Sequence, residues 1–244
     1  MLYLLPNLLF EEDSHANQLP SSVDAIVAQL TGLIAESEKQ ARKFLRRFAF
    51  APPKTFRDVP LRLLNEHSRE ADKREILKEI RQGTWGLISD CGMPCLADPG
   101  ADLVLMAREQ GIEVNTFAGP SSILMALVLS GLSGQHFTFH GYLPKEETLL
   151  VQELRKIEKL SAREKSTHLF IETPYRNVKM FHKLLDTLQD STLLCIACDL
   201  TSPAQSVQTK KIGNWKKSAA PEIDKRPTVF LFRAYMLNAT ENLV

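Results

Sequence analysis

The block from Gly83 to Ser122 constrains the fold of this chain more than any other stretch. An apolar run, Trp85 to Ser89, ends on a carboxylate, Asp90. A loop bearing Gly92 and Pro94 follows, then Asp98-Pro99-Gly100, a helical stretch, a second apolar run from Ile112 to Phe117 and the turn Gly119-Pro120-Ser121-Ser122. Strand, glycine-bearing loop, helix and strand in this order make a βαβ unit, with parallel strands and a right-handed crossover. In an open parallel sheet, ligands bind outside the carboxyl ends of the strands, where small residues let them approach the backbone. The block therefore predicts an α/β fold with a small-molecule crevice at Asp90 and the Gly119–Ser122 turn.

The alternation continues through the whole chain. Leu2 to Leu5 is an apolar run stopped by Pro6, and Gly32 to Ala35 is a strand ending at Glu36. Val23 to Leu30 and Lys39 to Phe50 have helical spacing. Leu61 to Leu64 reads as helix, as does the charged segment 69–81. Asp98 and Pro99 read as the N-cap and first residue of the next helix, with no catalytic role. Beyond the turn come helices over 121–130, 146–160 and 174–188, and strands over 137–142, 168–171, 192–198, 206–212 and 228–233. The expected division is an N-terminal α/β domain, 1–117, and a C-terminal α/β domain with a mixed sheet, 118–244.

The 244 residues carry 30 Lys and Arg against 29 Asp and Glu. With so little net charge, a nucleic-acid partner would have to be held by local patches. One such patch lies at Lys39, Arg42, Lys43, Arg46, Arg47, Lys54 and Arg57. No acid interrupts it, and Phe44, Phe48, Phe50 and Phe56 are interleaved with it. A solvated helix face and a polyanion footprint account for it equally well. Cys195 and Cys198 have zinc-like spacing, but residues three apart on a strand face opposite ways, so no metal site is expected. The N-terminus has neither the basic region nor the cleavage site of a signal peptide, and the apolar run 123–129 is too short to span a membrane. The expectation is a cytoplasmic protein with no membrane partner.

Four stretches, taken together, resemble the tetrapyrrole methylase superfamily of S-adenosylmethionine (SAM) methyltransferases. They are Ser89-Asp90-Cys91-Gly92-Met93-Pro94 with Asp98-Pro99-Gly100, Ala118-Gly119-Pro120-Ser121-Ser122, Gly141-Tyr142-Leu143-Pro144, and Glu172-Thr173-Pro174-Tyr175-Arg176. The nearest branch by this resemblance is the small-subunit ribosomal RNA ribose 2′-O-methyltransferases. The resemblance implies two α/β domains with a cofactor cleft between them, SAM as cofactor, an rRNA substrate and a homodimer. It implies donor contacts at Pro6, Ile88, Ser89, Asp90, Met93, Ser121, Ser122, Glu172 and Leu200. A ribose hydroxyl needs help losing its proton, and Glu36, His67 and Glu172 are the candidate bases. Lys39, Arg42, Lys43, Arg46 and Arg47 are the candidate RNA contacts. The chain departs from the family pattern in three places: Leu5-Pro6-Asn7-Leu8 lacks the loop glycine, Glu36-Ser37-Glu38-Lys39 keeps only the first acid, and Asn65-Glu66-His67-Ser68 stands where the family reads His-Glu-His-Asn. Two alternatives follow, a methyltransferase acting on a tetrapyrrole or other small molecule, and a SAM-fold binding protein without turnover.

Overall fold

A computed structural model describes residues 1–235; residues 236–244, which end the expected C-terminal domain, lie outside the described residues. The chain divides into two compact units, Met1–Ser121 and Ser122–Val244, where the sequence placed the division after residue 117.

The first unit is built on five strands: β1 (Leu2–Leu4), β2 (Gly32–Ala35), β3 (Leu61–Leu63), β4 (Trp85–Leu87) and β5 (Val114–Thr116). They lie in the order β3-β2-β4-β1-β5, and every pair is parallel. Helices α1 (His15–Gln18), α2 (Ser22–Gln29), α3 (Glu38–Leu45), α4 (Glu70–Ile80) and α5 (Ala101–Glu109) connect them. The crossovers β1–β2 and β2–β3 run one way along the sheet, while β3–β4 and β4–β5 run the other. Right-handedness must then put α2 and α3 on one face and α4 and α5 on the opposite face. The two apolar layers agree. Val23, Val27, Ala41, Phe44 and Leu45 form one cluster, and Ile76, Leu77, Ile80, Leu103 and Ala107 form another. Burying Phe44 completely contributes about 2–3 kcal/mol.

Two readings are corrected here. Leu61–Leu64 is not helical: residues 61–63 form edge strand β3, paired with β2 from Leu33↔Leu61 to Ala35↔Leu63. The run Leu-Arg-Leu-Leu satisfies both a period of two and a helical period, and pairing with β2 decides between them. Asp98 and Pro99 do not start α5 either. Gly100, at φ 131°, is its N-cap. A Cβ at Gly100 would stand 2.8 Å from Cys95 Sγ and 2.9 Å from Leu87 Cδ2, so only glycine fits this close approach.

The second unit has strands β6 (Phe137–Tyr142), β7 (Thr167–Ile171), β8 (Leu193–Cys198), β9 (Ser206–Lys211) and β10 (Thr228–Arg233). Their order is β6-β7-β10-β8-β9. Only β6 and β7 pair parallel; the other neighbours are antiparallel, so the sheet is mixed. Helix α6 (Ser122–Ser130) contacts β8, β9 and β10. Helices α7 (Glu147–Glu164), α8 (Asn177–Thr187) and α9 (Ile212–Trp215) cover the other face. There Leu154, Ile157, Phe181, Leu184 and Trp215 pack on Phe170, Leu194, Ile196, Phe230 and Phe232. Trp215 Nε1 donates to Leu194 O at 2.9 Å, satisfying the indole inside the core. At the start of α7, Glu146 accepts from Thr148 N and Leu149 N at 2.7 and 3.0 Å, and Lys165 closes the helix at φ 55°.

Candidate functional site

Because every strand of the first unit is parallel, all five carboxyl ends share one edge. The chain leaves β2 toward β3 and leaves its neighbour β4 toward β5, in opposite directions. That divergence is the topological switch point, where an open α/β sheet forms its crevice. Glu36 follows β2 there, and Ile88-Ser89-Asp90 follow β4.

Asn7, just past β1, ties this edge together. Its side-chain amide donates to Ser89 O at 3.1 Å and to Asp90 O at 2.9 Å. Its Oδ1 accepts from Leu8 N and from an Arg47 guanidinium nitrogen, both at 2.9 Å. Its backbone pairs with Gly92 in both directions, at 2.9 and 3.1 Å. The loops after β1 and β4 are thus fixed to each other by one buried asparagine. The Gly119 turn packs on the same loops: a Cβ there would lie 2.1 Å from Pro6 Cβ and 3.0 Å from Met93 Sδ. Pro6, Met93, Ser89, Asp90 and the Gly119–Ser121 turn therefore come together within this unit.

The electrostatics of the edge are unusual. The Glu36 carboxyl is pushed up to about 7, first by burial and then by the charges of Asp98, Asp90 and Glu66, with the backbone of Asp90 partly offsetting the rise. Burial also raises Asp90. Asp98 is raised by burial and by Asp90, while the Ser89 hydroxyl pulls it back down. Among the described residues none of Glu36, Asp90 and Asp98 forms an ion pair. The Ser89 hydroxyl is buried, 1 % exposed, with the Asp98 carboxyl beside it. Three carboxyls with no cation paired to them among the described residues call for a ligand with positive charge and hydroxyl donors. Asp98 escaped the sequence reading because Asp-Pro before a helix is so well explained as a cap.

The other expected site residues fall into distinct places. His67 follows β3 at the same edge, but its side chain is 84 % exposed, with Glu66 3.6 Å away. It is Glu66 rather than His67 whose charge reaches Glu36. Glu172 and Leu200 belong to the second unit and follow β7 and β8, whose carboxyl ends lie on one edge of that sheet. The buried Glu172 carboxylate accepts from Thr173 N at 2.8 Å and pairs with Arg176 at 3.2 Å. Leu200 sits between Asp199 and Thr201, both at positive φ, and Thr201 Oγ1 is buried without a partner. Ser122 opens α6 and Ser121 is buried.

The basic run is largely engaged inside the unit. Arg42 donates to Phe56 O and Val59 O at 3.0 and 2.9 Å. Arg47 holds Asn7 and is half-buried, which lowers its pKa. Lys54 donates to Leu30 O at 2.7 Å, and Lys43 pairs with Glu11. Lys39 and Arg46 remain exposed, and Arg46 lies over the Phe56 ring at 5.4 Å. The acids absent from the run itself are supplied from outside it, by Glu38 and Glu11.

The family model of the Tetrapyrrole (Corrin/Porphyrin) Methylases matches residues 21–215. The chain belongs to the tetrapyrrole methylase family. Relatives include the ribosomal RNA small subunit methyltransferase I of Halalkalibacterium halodurans, 32% identical over 165 residues, covering 66% of this chain and 50% of the relative. The protein of the same name from Thermotoga maritima is 29% identical over 184 residues, covering 74% and 76%. The match thus spans about half the length of the first of these relatives. The solved structure of the methyltransferase CobJ aligns with a TM-score of 0.61 at 16% identity, covering 96% of this chain and 93% of that one. Diphthine synthase aligns with the same TM-score at 14% identity, covering 96% and 89%. These two structures share the family fold with this chain.

Proposed function

We propose that the protein is a SAM-dependent methyltransferase acting on RNA, with a ribose 2′-hydroxyl of small-subunit rRNA as acceptor. The carrying observation is the unpaired carboxyl group of Glu36, Asp90 and Asp98, set around the Ser89 hydroxyl at the switch point. SAM fits this chemistry: its sulfonium and amino groups are cationic, and its ribose hydroxyls donate to carboxylates. Asp90, Asp98 and Ser89 would hold it, with Pro6, Met93 and the Gly119–Ser121 turn shaping the floor. In the second unit Ser122, Glu172 and Leu200 are the candidate contacts. When bound, SAM supplies a methyl group already activated for transfer. Glu36, with a pKa near neutrality, is the residue suited to take a hydroxyl proton at working pH. Glu172 is already engaged with Arg176 and Thr173, which favours an anchoring role over proton transfer.

The names of the curated relatives support the RNA acceptor. The internal engagement of Arg42, Arg47 and Lys54 is the observation that favours the small-molecule alternative, since it removes cations from the expected footprint. A transfer assay separates the readings. Label from methyl-labelled SAM should enter unmodified small-subunit RNA and survive alkaline digestion within a dinucleotide, because a methylated 2′-oxygen blocks cleavage. Label that remains in small molecules, with none in RNA, would refute the RNA reading.

A further inference from the structure

Helix α7 carries cations on one face at every fourth residue: Arg155, Lys159 and Arg163. They line a groove of about 530 Å³ on the second unit, together with Glu158, Gln189, Ala234 and Tyr235. Four residues advance a helix by about 6 Å, comparable to the spacing of successive phosphates along an extended strand. Arg155 and Lys159 are exposed and form no ion pair among the described residues; Arg163 meets Glu164 at 2.8 Å. Of the acids of this helix, Glu164 meets Arg163 and Glu158 lies in the groove wall, which leaves Arg155 and Lys159 without an acidic partner among the described residues. Glu153 pairs with Lys156, and the buried Glu158 accepts from Gln189 N and Thr192 Oγ1 at 2.8 and 2.5 Å. Tyr235 is 49 % exposed, with the Arg233 guanidinium 5.3 Å from its ring centroid. A solvated helix face normally mixes charge signs and has no concave wall. Cations in register, a groove and an exposed ring are the components of a single-stranded nucleic-acid track.

We infer that this groove binds single-stranded RNA, with Arg155, Lys159 and Arg163 on successive phosphates and Tyr235 stacking on a base. The inference deepens the RNA reading above and rests on it. It also answers a problem raised by the first unit, where most of the basic run is engaged internally.

The test is fluorescence anisotropy of a short labelled oligoribonucleotide across a salt series, using the full chain. The triple variant Arg155→Ala, Lys159→Ala, Arg163→Ala should bind about tenfold or more weaker. Its slope of log affinity against log salt should be shallower by about 2, at about 0.7 per phosphate contact on single strands. Tyr235→Ala should weaken binding about fivefold and leave the slope unchanged. Lys159→Glu, one change at an exposed helix position, should act in the direction of the triple variant. Thermal unfolding and SAM affinity should stay at wild-type values in all of them. Wild-type RNA binding that persists in the triple variant, with the same affinity and slope, would overturn the groove and leave the RNA reading standing. A wild-type protein that binds SAM but no RNA would overturn both.

Discussion

Replacing Glu36 with glutamine should stabilise the protein at alkaline pH and leave it unchanged in acid. The folded carboxyl titrates at about 7, against an ordinary value of 4.5. Between those values the folded state keeps a proton that the unfolded state has released. The contribution of Glu36 to stability must therefore fall as pH rises through this window, while His168, held down to about 4 by burial, contributes in the opposite direction. One pKa unit is about 1.4 kcal/mol, so full shielding would put the loss at about 3 kcal/mol. The carboxyl is partly exposed, and solvent screening reduces that to about 1–2 kcal/mol. Glutamine has the same shape and stays neutral, so Glu36→Gln should be more stable than wild type by about 1–2 kcal/mol at pH 8 and by nothing measurable at pH 4. Urea denaturation at a series of pH values measures both. The variant should also bind SAM more weakly, as expected where a strained cluster serves a ligand. A stability difference between variant and wild type that does not grow between pH 5 and 8, or a variant less stable than wild type at pH 8, would refute the reasoning.

Asn7→Ala removes a buried clamp with four side-chain hydrogen bonds and should lower unfolding free energy by about 2–4 kcal/mol, read by denaturant titration. A loss below about 0.5 kcal/mol would show that the two loops hold without it. Gly119→Ala drives a methyl into Pro6 and should displace the crevice floor, cutting SAM affinity tenfold or more by calorimetry; unchanged affinity would remove that turn from the site. Arg46→Ala and Arg47→Ala should separate. The first, exposed, should leave melting temperature unchanged, and the second should destabilise by about 1–2 kcal/mol through loss of its bond to Asn7. Ser161→Ala leaves Ala234 N unpaired in the core and should cost about 1–3 kcal/mol, checked by urea unfolding.

The parts of the fold legible in the sequence were those fixed by local chemistry. Phe137–Tyr142 and Thr228–Arg233 are strands over just those residues, because they are rich in β-branched and aromatic side chains, and Gly32–Ala35 is one as a short apolar run between Thr31 and Glu36. β3 was misread because so short a run fits both periods, and only its pairing with β2 decides between them. Asp90 and the Gly119 turn were legible as strand-end features. Asp98 was not, because its role depends on a neighbour eight residues away and on an N-cap that passed to Gly100. Nor did the basic run disclose its internal partners, since the carbonyls of Phe56 and Val59 lie fourteen and seventeen residues beyond Arg42 and the side chain of Asn7 forty before Arg47. Charge is visible in a sequence; what it touches is decided by the fold.

The most direct test of the central claim is calorimetric titration of SAM into the wild-type protein and Asp90→Ala. The account predicts binding near micromolar, about −8 kcal/mol, that disappears in a variant whose unfolding curve is otherwise cooperative. A well-folded wild-type protein that releases no heat with SAM, with or without RNA present, would contradict it.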